Sequence, residues 1–251
     1  MVRRLRATNR WLLLLDFDGT LVPFLDDPNA VSLDPPVRQV LHRLAQHRGS
    51  SVYIMSGRRL ADLRRRVRIP GVRLLGLHGW EGRGATLPGE QKRLLLQAKH
   101  WLARWLPALP GIEVEDKGYA LAVHYRRALL PAVRVAGLVM LLARDLFRPG
   151  LYLLKGKKIW ELLPRAIVGK GPATQGLLRK LPRNTLPIFI GDDVSDESAF
   201  AVLRHGLAVH VGGQAETQAP FCLHDPGEVR EFLERLEAVI SCKQSHPHSH
   251  S

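Results

Sequence analysis

The sequence has few cysteines and no long uninterrupted apolar segment. Cys222 and Cys242 are the only cysteines among 251 residues, and they do not form a C-x-x-C pair. A disulfide framework or a cysteine zinc site is therefore not expected. The apolar stretch over residues 129–147 contains two arginines and an aspartate, which argues against a membrane span. Because the basic start leads into aspartates without the small-residue cleavage site of a signal peptide, we expect a soluble, cytoplasmic protein.

Acidic residues are scarce relative to basic ones. The chain has 37 Lys and Arg against 23 Asp and Glu, a formal net charge of +14. Nucleic-acid binding is one interpretation, but the sequence has no nucleic-acid module, zinc pattern or interleaved aromatic and basic residues. Attraction of an anionic substrate is a second interpretation, and a solvated arginine-rich surface is a third. We favour the solvated surface, with some benefit for phosphate capture, and expect neither nucleic acid nor membrane as a partner.

Apolar strands alternate with helical patterns at both ends of the chain, which predicts βαβ units and a Rossmann-like parallel sheet. The expected core strands are residues 11–15, 51–55, 72–75, 187–190 and 207–211. The middle of the chain repeats a helix-strand-strand pattern twice, with tight turns at residues 116–118 and 155–157, and predicts an inserted α+β cap. We expect a core over residues 1–81 and 166–251 and a cap over 82–165. The histidine-rich tail, 245–251, is expected to be disordered and without function.

Two aspartates follow the first apolar strand. Asp16 and Asp18 precede Gly19 and Thr20, at the carboxyl end of a strand, where parallel sheets bind ligands. Strand alternation directs both carboxylates to one side, where they repel each other unless a cation such as Mg²⁺ lies between them. An Asp-Gly turn is the simpler alternative, but the buried strand followed by Asp-x-Asp-Gly-Thr-Leu is the more specific pattern.

Further polar residues follow the later strands. Ser56 can donate its hydroxyl to a phosphoryl group, or it can cap the next helix. Lys170 lies at a helix start, where its charge opposes the helix dipole, so we expect it to offset carboxylate repulsion and hold a phosphoryl group. Asp192 is expected to bind the metal directly with Asp16 and the backbone carbonyl of Asp18. The remaining acids, Asp193 and Asp196, would orient waters or Lys170, although a solvated acidic loop capping a helix is an alternative.

The Asp-x-Asp-Gly-Thr motif resembles the first motif of the haloacid-dehalogenase-type phosphatases, and three later stretches resemble the other motifs in order. The resemblance implies that Asp16 is a nucleophile that forms an aspartyl-phosphate, and that Asp18 is a general acid and then a base. It also implies that Ser56 and Lys170 are the second-motif serine and third-motif lysine. Carboxylate attack on phosphorus and proton donation to the leaving alkoxide are consistent with these assignments.

Within that superfamily, residues 11–211 resemble the trehalose-6-phosphate phosphatases, except that Ser195 stands where threonine is commoner. Matching stretches include a proline at 28, the Gly-x-His-Gly turn at 76–79 and the acidic run at 191–197. The resemblance implies Mg²⁺-dependent hydrolysis of trehalose 6-phosphate in trehalose biosynthesis, by a monomer whose cap closes over the core. The substrate-binding residues that it implies are Gly57, Arg58, His78, Glu115, Lys117, Arg126, Lys157 and Glu161.

Several alternatives stay open. The charged cap residues are also explained as solvated faces or cross-strand ion pairs. Another sugar phosphate, such as sucrose 6-phosphate or a glycosyl phosphoglycerate, requires the same core chemistry. A non-catalytic phosphosugar-binding protein on this fold is a further alternative, although it would not need the complete set Asp16, Asp18, Lys170 and Asp192.

Overall fold

The computed structural model describes residues 4–5, 7–25, 30–106, 109–213 and 216–245. The proline at 28 and the tail from 246 onward lie outside this described part, and Ser245, which the sequence assigns to the tail, is the last residue of a helix. The chain divides into two compact units, Met1–Arg83 with Gly169–Ser251, and Gly84–Val168. We call them the core and the cap.

The described residues form ten strands, seven α-helices and a short 3₁₀ helix, Leu77–Gly79. In chain order the elements are β1 (Arg10–Leu15), α1 (Pro35–Gln46), β2 (Ser50–Met55), α2 (Leu60–Val67), β3 (Arg73–Leu75), α3 (Gly89–Trp105), β4 (Glu113–Asp116), β5 (Leu121–His124), α4 (Leu130–Leu146), β6 (Leu151–Gly156), β7 (Ile159–Pro164), α5 (Lys170–Leu178), β8 (Thr185–Gly191), α6 (Val194–Val202), β9 (Leu207–Val211), β10 (Phe221–Leu223) and α7 (Pro226–Ser245). Within the described ranges, no helix is both long enough and apolar enough to cross a membrane.

The core contains a six-stranded parallel sheet in the order β10-β9-β8-β1-β2-β3. Its central strand, β1, is buried on both faces. Leu13 and Leu15 pack into the apolar cluster on one face, and Leu12 and Leu14 pack into the cluster on the other. Each fully buried leucine contributes about 2 kcal/mol to folding. This arrangement confirms the expected α/β class and brings the carboxyl ends of β1, β2 and β8 to one edge.

The cap contains a four-stranded antiparallel sheet in the order β4-β5-β7-β6. Leu121, Val123 and Leu162 point toward α3 and α4 and form one apolar cluster with residues of both helices. The register pairs Glu115 with Ala122 and Ala122 with Glu161, so these three residues lie in one row on the opposite face. The cap sheet therefore has one apolar face, covered by helices, and one face that carries charged side chains.

Both cap hairpins turn later than the sequence predicted. Asp116, expected in the turn, still pairs with Leu121 in the sheet, and the chain reverses through Lys117–Ala120. In the second hairpin Gly156 pairs with Ile159, so the turn consists of residues 157 and 158. Lys158 adopts the left-handed conformation there, with φ 62°. Gly156 did not mark the second turn, because strand register rather than local conformational preference sets the position of that turn.

The strand β10 was not expected from the sequence. It has only three residues and pairs in parallel with β9 at the edge of the core sheet. Its partly exposed pattern has no long apolar run, so periodicity could not reveal it. Pairing with β9 is what defines this segment as a strand.

Candidate active site

The segments that follow four neighbouring strands, β8, β1, β2 and β3, meet at the carboxyl edge of the core sheet. The Asp16 amide donates to the Ile190 carbonyl at 2.9 Å, which joins the end of β1 to β8. The Ser56 amide donates to the Leu75 carbonyl at 3.1 Å, and the His78 amide donates to the Ser56 carbonyl at 2.9 Å. Backbone hydrogen bonds thus hold the segments that carry the predicted site residues.

Lys170 lies between two carboxylates. Its Nζ is 2.8 Å from Asp16 Oδ1 and donates to Asp196 Oδ1 at 2.7 Å. All three side chains are buried, Lys170 with 2% of its surface exposed. An ammonium group at a helix start is unfavourable for the helix dipole, and the two carboxylates compensate for it here.

Burial and charge have opposing effects on these groups. Burial lowers the pKa of Lys170, but attraction by Asp16 and Asp196 and hydrogen bonds to both outweigh it, and the pKa is raised above its ordinary value. For Asp16 and Asp196, burial is the largest influence and raises the pKa of both carboxyls, although Lys170 lowers them. Lys170 alone therefore does not offset the burial of two carboxylates, and a further cation would favour their charged forms.

Asp192 brings a third carboxylate to this cluster. One oxygen from each of Asp16, Asp192 and Asp196 lies within 4.8 Å of the others. The Asp192 side chain packs against Gly19 so closely that a Cβ there would lie 2.1 Å from Asp192 Oδ2, and Gly19 has φ +81°. Glycine is thus required at position 19 both by backbone conformation and by the neighbouring carboxylate.

Asp193 and Asp196 also cap a helix. Asp193 is the N-cap of α6 and forms a capping box, in which Asp196 Oδ2 accepts from the Asp193 amide at 3.0 Å. The capping part of the alternative raised by the sequence therefore holds for both residues, but Asp196 is fully buried, so the loop is not solvated there. Helix capping does not account for Asp192. The other carboxylate oxygen of Asp196, Oδ1, accepts from Lys170 and so connects this helix N-terminus to the lysine.

Arg58 binds Asp18. Its Nε and Nη2 donate to the two Asp18 carboxylate oxygens at 2.7 and 2.6 Å. Its Nη1 donates to Asp62 Oδ2 at 2.9 Å, and Arg66 Nε donates to the same oxygen at 2.8 Å. Although burial raises it, hydrogen bonds from both arginines lower the pKa of Asp62 to about 2. Arg58 is thus held at both ends of its guanidinium group, with Asp18 at one end.

Ser56, Gly57 and His78 lie together beside these groups. The Ser56 hydroxyl accepts from the Arg58 amide at 3.1 Å, and the N-cap of α2 is Arg59, so Ser56 does not cap that helix. A Cβ on Gly57 would lie 2.9 Å from the His78 ring. His78 is buried and has φ 57°, a left-handed conformation held by neighbouring backbone hydrogen bonds.

The charged face of the cap sheet contains two close side-chain pairs. Lys117 Nζ donates to Glu161 Oε1 at 2.7 Å, and both residues are buried. His124 Nε2 is 2.9 Å from Glu115 Oε2, and this hydrogen bond is the main reason that the pKa of Glu115 is lowered. Ion pairing, an alternative left open by the sequence, is therefore present between Lys117 and Glu161, and a cross-strand hydrogen bond joins His124 and Glu115.

Arg126 and Lys157 lie at one end of the cap sheet. Arg126 follows β5 and is partly exposed, whereas Lys157 is exposed in the β6–β7 turn. The Tyr125 amide donates to the Lys158 carbonyl at 3.1 Å, which brings the two segments together. The predicted site residues thus form two groups, one in the core and one on the charged face and end of the cap sheet.

Three residues of these groups were missed by sequence reasoning. Asp62 lies four residues after Arg58, a spacing that favours ion pairing and could have identified it. His124 pairs with Glu113 in the strand register, and only the folded sheet brings its ring next to Glu115. The Thr20 hydroxyl oxygen is buried and has no hydrogen-bond partner among the described residues, which its place in the first motif could have indicated.

The fold and the site first define a broad class. A parallel core sheet whose carboxyl edge carries Asp16, Lys170 and Asp192, together with an inserted antiparallel cap, is the haloacid-dehalogenase-like arrangement. A profile of the trehalose-phosphatase family matches residues 14–226, so the chain belongs to that family.

Named relatives agree with this membership. The trehalose-phosphate phosphatase of Mycobacterium tuberculosis is 34% identical over 245 residues, which cover 89% of this chain and 60% of the relative. The chain thus spans about 60% of the length of such curated relatives. Among solved structures, the C-terminal domain of C. albicans trehalose-6-phosphate phosphatase superposes with a TM-score of 0.82 at 24% identity, covering 94% of this chain and 96% of that one. A trehalose-6-phosphate phosphatase related protein superposes with a TM-score of 0.76 at 26% identity, covering 92% and 99%.

Proposed function

We propose that the chain is a Mg²⁺-dependent phosphatase that hydrolyses trehalose 6-phosphate to trehalose and phosphate in trehalose biosynthesis. The observation that carries the proposal is the buried contact of Lys170 with Asp16, next to Asp192, in a member of the trehalose-phosphatase family. A cytoplasmic location stays a prediction from the sequence.

The core residues fit a magnesium ion. Mg²⁺ binds hard oxygen ligands, and three carboxylates approach one another here. Counted in their charged forms, the three carboxylates and Lys170 leave a local charge of −2, which a divalent cation balances. Asp16 and Asp192 would hold the ion, because Asp196 is already engaged by Lys170 and the Asp193 amide. Asp18 would contribute its backbone carbonyl, since Arg58 binds its side chain. The bound ion would neutralise charge on the phosphoryl group and the nucleophile.

The protein groups divide the reaction into two steps. A carboxylate oxygen of Asp16 attacks phosphorus, the bond from phosphorus to the sugar oxygen breaks, and Asp18 gives a proton to that oxygen. Asp18 then takes a proton from water, which attacks the aspartyl-phosphate and releases phosphate. Lys170 and the Ser56 hydroxyl hold the phosphoryl oxygens during both steps. Asp18 must leave Arg58 to transfer protons, and a phosphate oxygen can take its place on the guanidinium group.

We propose that the cap, expected from the sequence over 82–165, recognises the sugar. Glu115, Lys117 and Glu161 offer donors and acceptors on the charged sheet face, and Arg126 and Lys157 add positive charge at its end. A site built from such groups rejects sugars that leave them unpaired. Gly57, Arg58 and His78 would complete phosphate binding in the core.

Phosphate release from the purified chain tests the proposal. Trehalose 6-phosphate, glucose 6-phosphate, sucrose 6-phosphate and an aryl phosphate are compared with Mg²⁺ and with EDTA. Preference for trehalose 6-phosphate that EDTA abolishes supports both the chemistry and the substrate. Preference for another ester would retain the chemistry and reject the substrate, and folded protein without activity on any ester would favour the phosphosugar-binding alternative.

A further inference from the structure

The outer face of α4 is apolar. Val135, Leu138, Leu142 and Leu146 follow one another at intervals of three or four residues, and each is between 47% and 63% exposed. Residues so spaced form one stripe along a helix. This stripe belongs to the apolar segment that is too charged to span a membrane, and the proposed phosphatase function assigns no role to it.

The stripe is exposed because α4 packs through its small residues. Ala136, Met140 and Ala143 are buried against the cap sheet. A Cβ on Gly137 would lie 3.4 Å from the Trp160 ring, so the helix comes close to the sheet at that point. The bulkier side chains on the other side of the helix are therefore not needed to fill the apolar interior of the cap.

Two opposite charges flank the stripe on one side. Arg134 and Asp145 are eleven residues apart, so they lie about 20° apart around the helix and about 16 Å apart along it. Both are exposed. Arg134 makes no ion pair with any residue in the described ranges, whereas Asp145 accepts hydrogen bonds from Arg144 of its own helix at 2.8 and 3.1 Å, so a contact between copies would add a second arginine to that carboxylate. Met140 lies midway between Leu138 and Leu142, with Arg134 about 9 Å before it and Asp145 about 7.5 Å after it.

This pattern is self-complementary. A two-fold axis at the level of Met140 places Leu138 of one copy opposite Leu142 of the other in an antiparallel helix pair. In such a pair, residues on the same flank face each other, so Arg134 of each copy lies beside Asp145 of the other. A parallel pair would not bring these two residues together. We propose that α4 is the contact surface of an antiparallel homodimer, in place of the monomer expected from the sequence.

Sedimentation equilibrium of the full chain, at concentrations from low to high micromolar, tests the dimer. We expect a species of twice the 28.1 kDa chain mass. Leu142→Glu should raise the dimer dissociation constant by about 10²-fold, because it buries a carboxylate at the centre of the contact. Leu96→Glu is the matched control, since Leu96 is 54% exposed on α3 and lies outside the stripe. Circular dichroism checks that both variants fold.

A charge exchange tests the antiparallel geometry. Arg134→Glu and Asp145→Arg should each raise the dissociation constant by about tenfold, because each places like charges together twice per dimer. The double variant should restore the original constant. A chain that is monomeric at every concentration, or a dimer indifferent to Leu142→Glu, would overturn the proposal. Failure of the double variant would overturn the antiparallel arrangement. A monomer that binds phosphatidylglycerol vesicles through Leu142 would show that the stripe binds lipid instead.

Discussion

The chemistry depends on individual side chains whose environment differs from that of ordinary surface residues. Asp16 and Lys170 are buried in contact with each other, and each changes the proton affinity of the other. In the cap, Lys117 and Glu161 form a second buried pair.

Replacing the nucleophile should abolish turnover without unfolding the core. In Asp16→Asn the amide cannot attack phosphorus, so kcat should fall by about 10³-fold or more. The variant has nearly the same shape, and Lys170 keeps its contact with Asp196. Steady-state phosphate release and circular dichroism measure the two effects. Substantial remaining activity in folded protein would refute Asp16 as the nucleophile.

Replacing Glu161 should separate sugar recognition from chemistry. Glu161→Gln weakens the bond to Lys117 and any contact with sugar hydroxyls, so kcat/KM for trehalose 6-phosphate should fall by about 10²-fold. Hydrolysis of an aryl phosphate should change much less. Glu113→Gln is the control, because Glu113 is an exposed glutamate on the same strand face as Glu115. An equal loss on both esters would place Glu161 outside sugar recognition.

At the scale of elements, turns and helix ends position the site. The loop after β1 needs glycine to accommodate Asp192, and the first turn of α2 supplies Asp62 to hold Arg58. In both cases the backbone conformation of a loop or a helix end brings the residues into contact.

The loop after β1 should not tolerate a side chain at position 19. Gly19→Ala places a Cβ 2.1 Å from Asp192 Oδ2, so the carboxylate must move, and Mg²⁺ affinity and activity should both fall by about tenfold or more. Gly84→Ala is the matched control, since Gly84 also has positive φ, at +73°, but a Cβ there would have no heavy atom within 4 Å. Titration of activity with Mg²⁺ measures the difference. Equal effects of both changes would mean that glycine is needed at position 19 only for its backbone conformation.

The helix α2 should lose acid-dependent stability when Asp62 is replaced. The pKa of Asp62 is depressed to about 2. The stabilisation from its ionised carboxylate is therefore present above the ordinary pKa near 4 and is lost as the pH falls through about 2. Because Asp62 is partly exposed, Asp62→Asn should cost about 1 kcal/mol of unfolding free energy at neutral pH. Urea unfolding at neutral pH and near pH 2 measures this cost. A cost that persists below pH 2 would contradict the assignment to charge.

At the scale of the whole molecule, charge is distributed unevenly. The chain carries a formal net charge of +14, yet the core site concentrates three carboxylates around one lysine. A positive molecule attracts phosphate esters in general, whereas the acidic cluster within it could hold a metal ion. The two features suit an enzyme that binds an anionic substrate together with a metal ion.

Magnesium should stabilise the folded chain. An ion that binds only the folded state raises the melting temperature by mass action, and an excess of about 100-fold over Kd adds about 2.7 kcal/mol. Asp192→Asn should remove most of this shift, whereas Asp34→Asn, a change at an aspartate whose side chain makes no helix-cap hydrogen bond, should retain it. Thermal unfolding with Mg²⁺ and with EDTA provides the measurement. No shift in the unchanged protein would contradict a magnesium site.

Local patterns in the sequence were enough to predict all the core strands except β10 and to single out the candidate site residues of the core. The apolar run before Asp16 predicts a doubly buried strand, and the charge of Lys170 at a helix start predicts a compensating anion. Chain order then predicts a parallel sheet with its ligands at one edge, because parallel strands place their carboxyl ends together. These conclusions depend on neighbours in sequence, which composition and spacing describe.

Tertiary structure decided which of these groups meet. The contact of Lys170 with Asp196, 26 residues away, is one of the two roles expected for that aspartate, and the structure selects it. The binding of Asp18 by Arg58, across 40 residues, was not expected from spacing. Register moved both cap turns: Asp116 pairs within the first hairpin, although Gly118 keeps its place in the turn, and in the second hairpin hydrogen bonding between strands outweighed the local preference of Gly156. The orientation of α4 was also undetermined, since apolar residues surround most of the helix. Close approach to Trp160 selected the side with Gly137 for burial, and the leucine stripe was left at the surface.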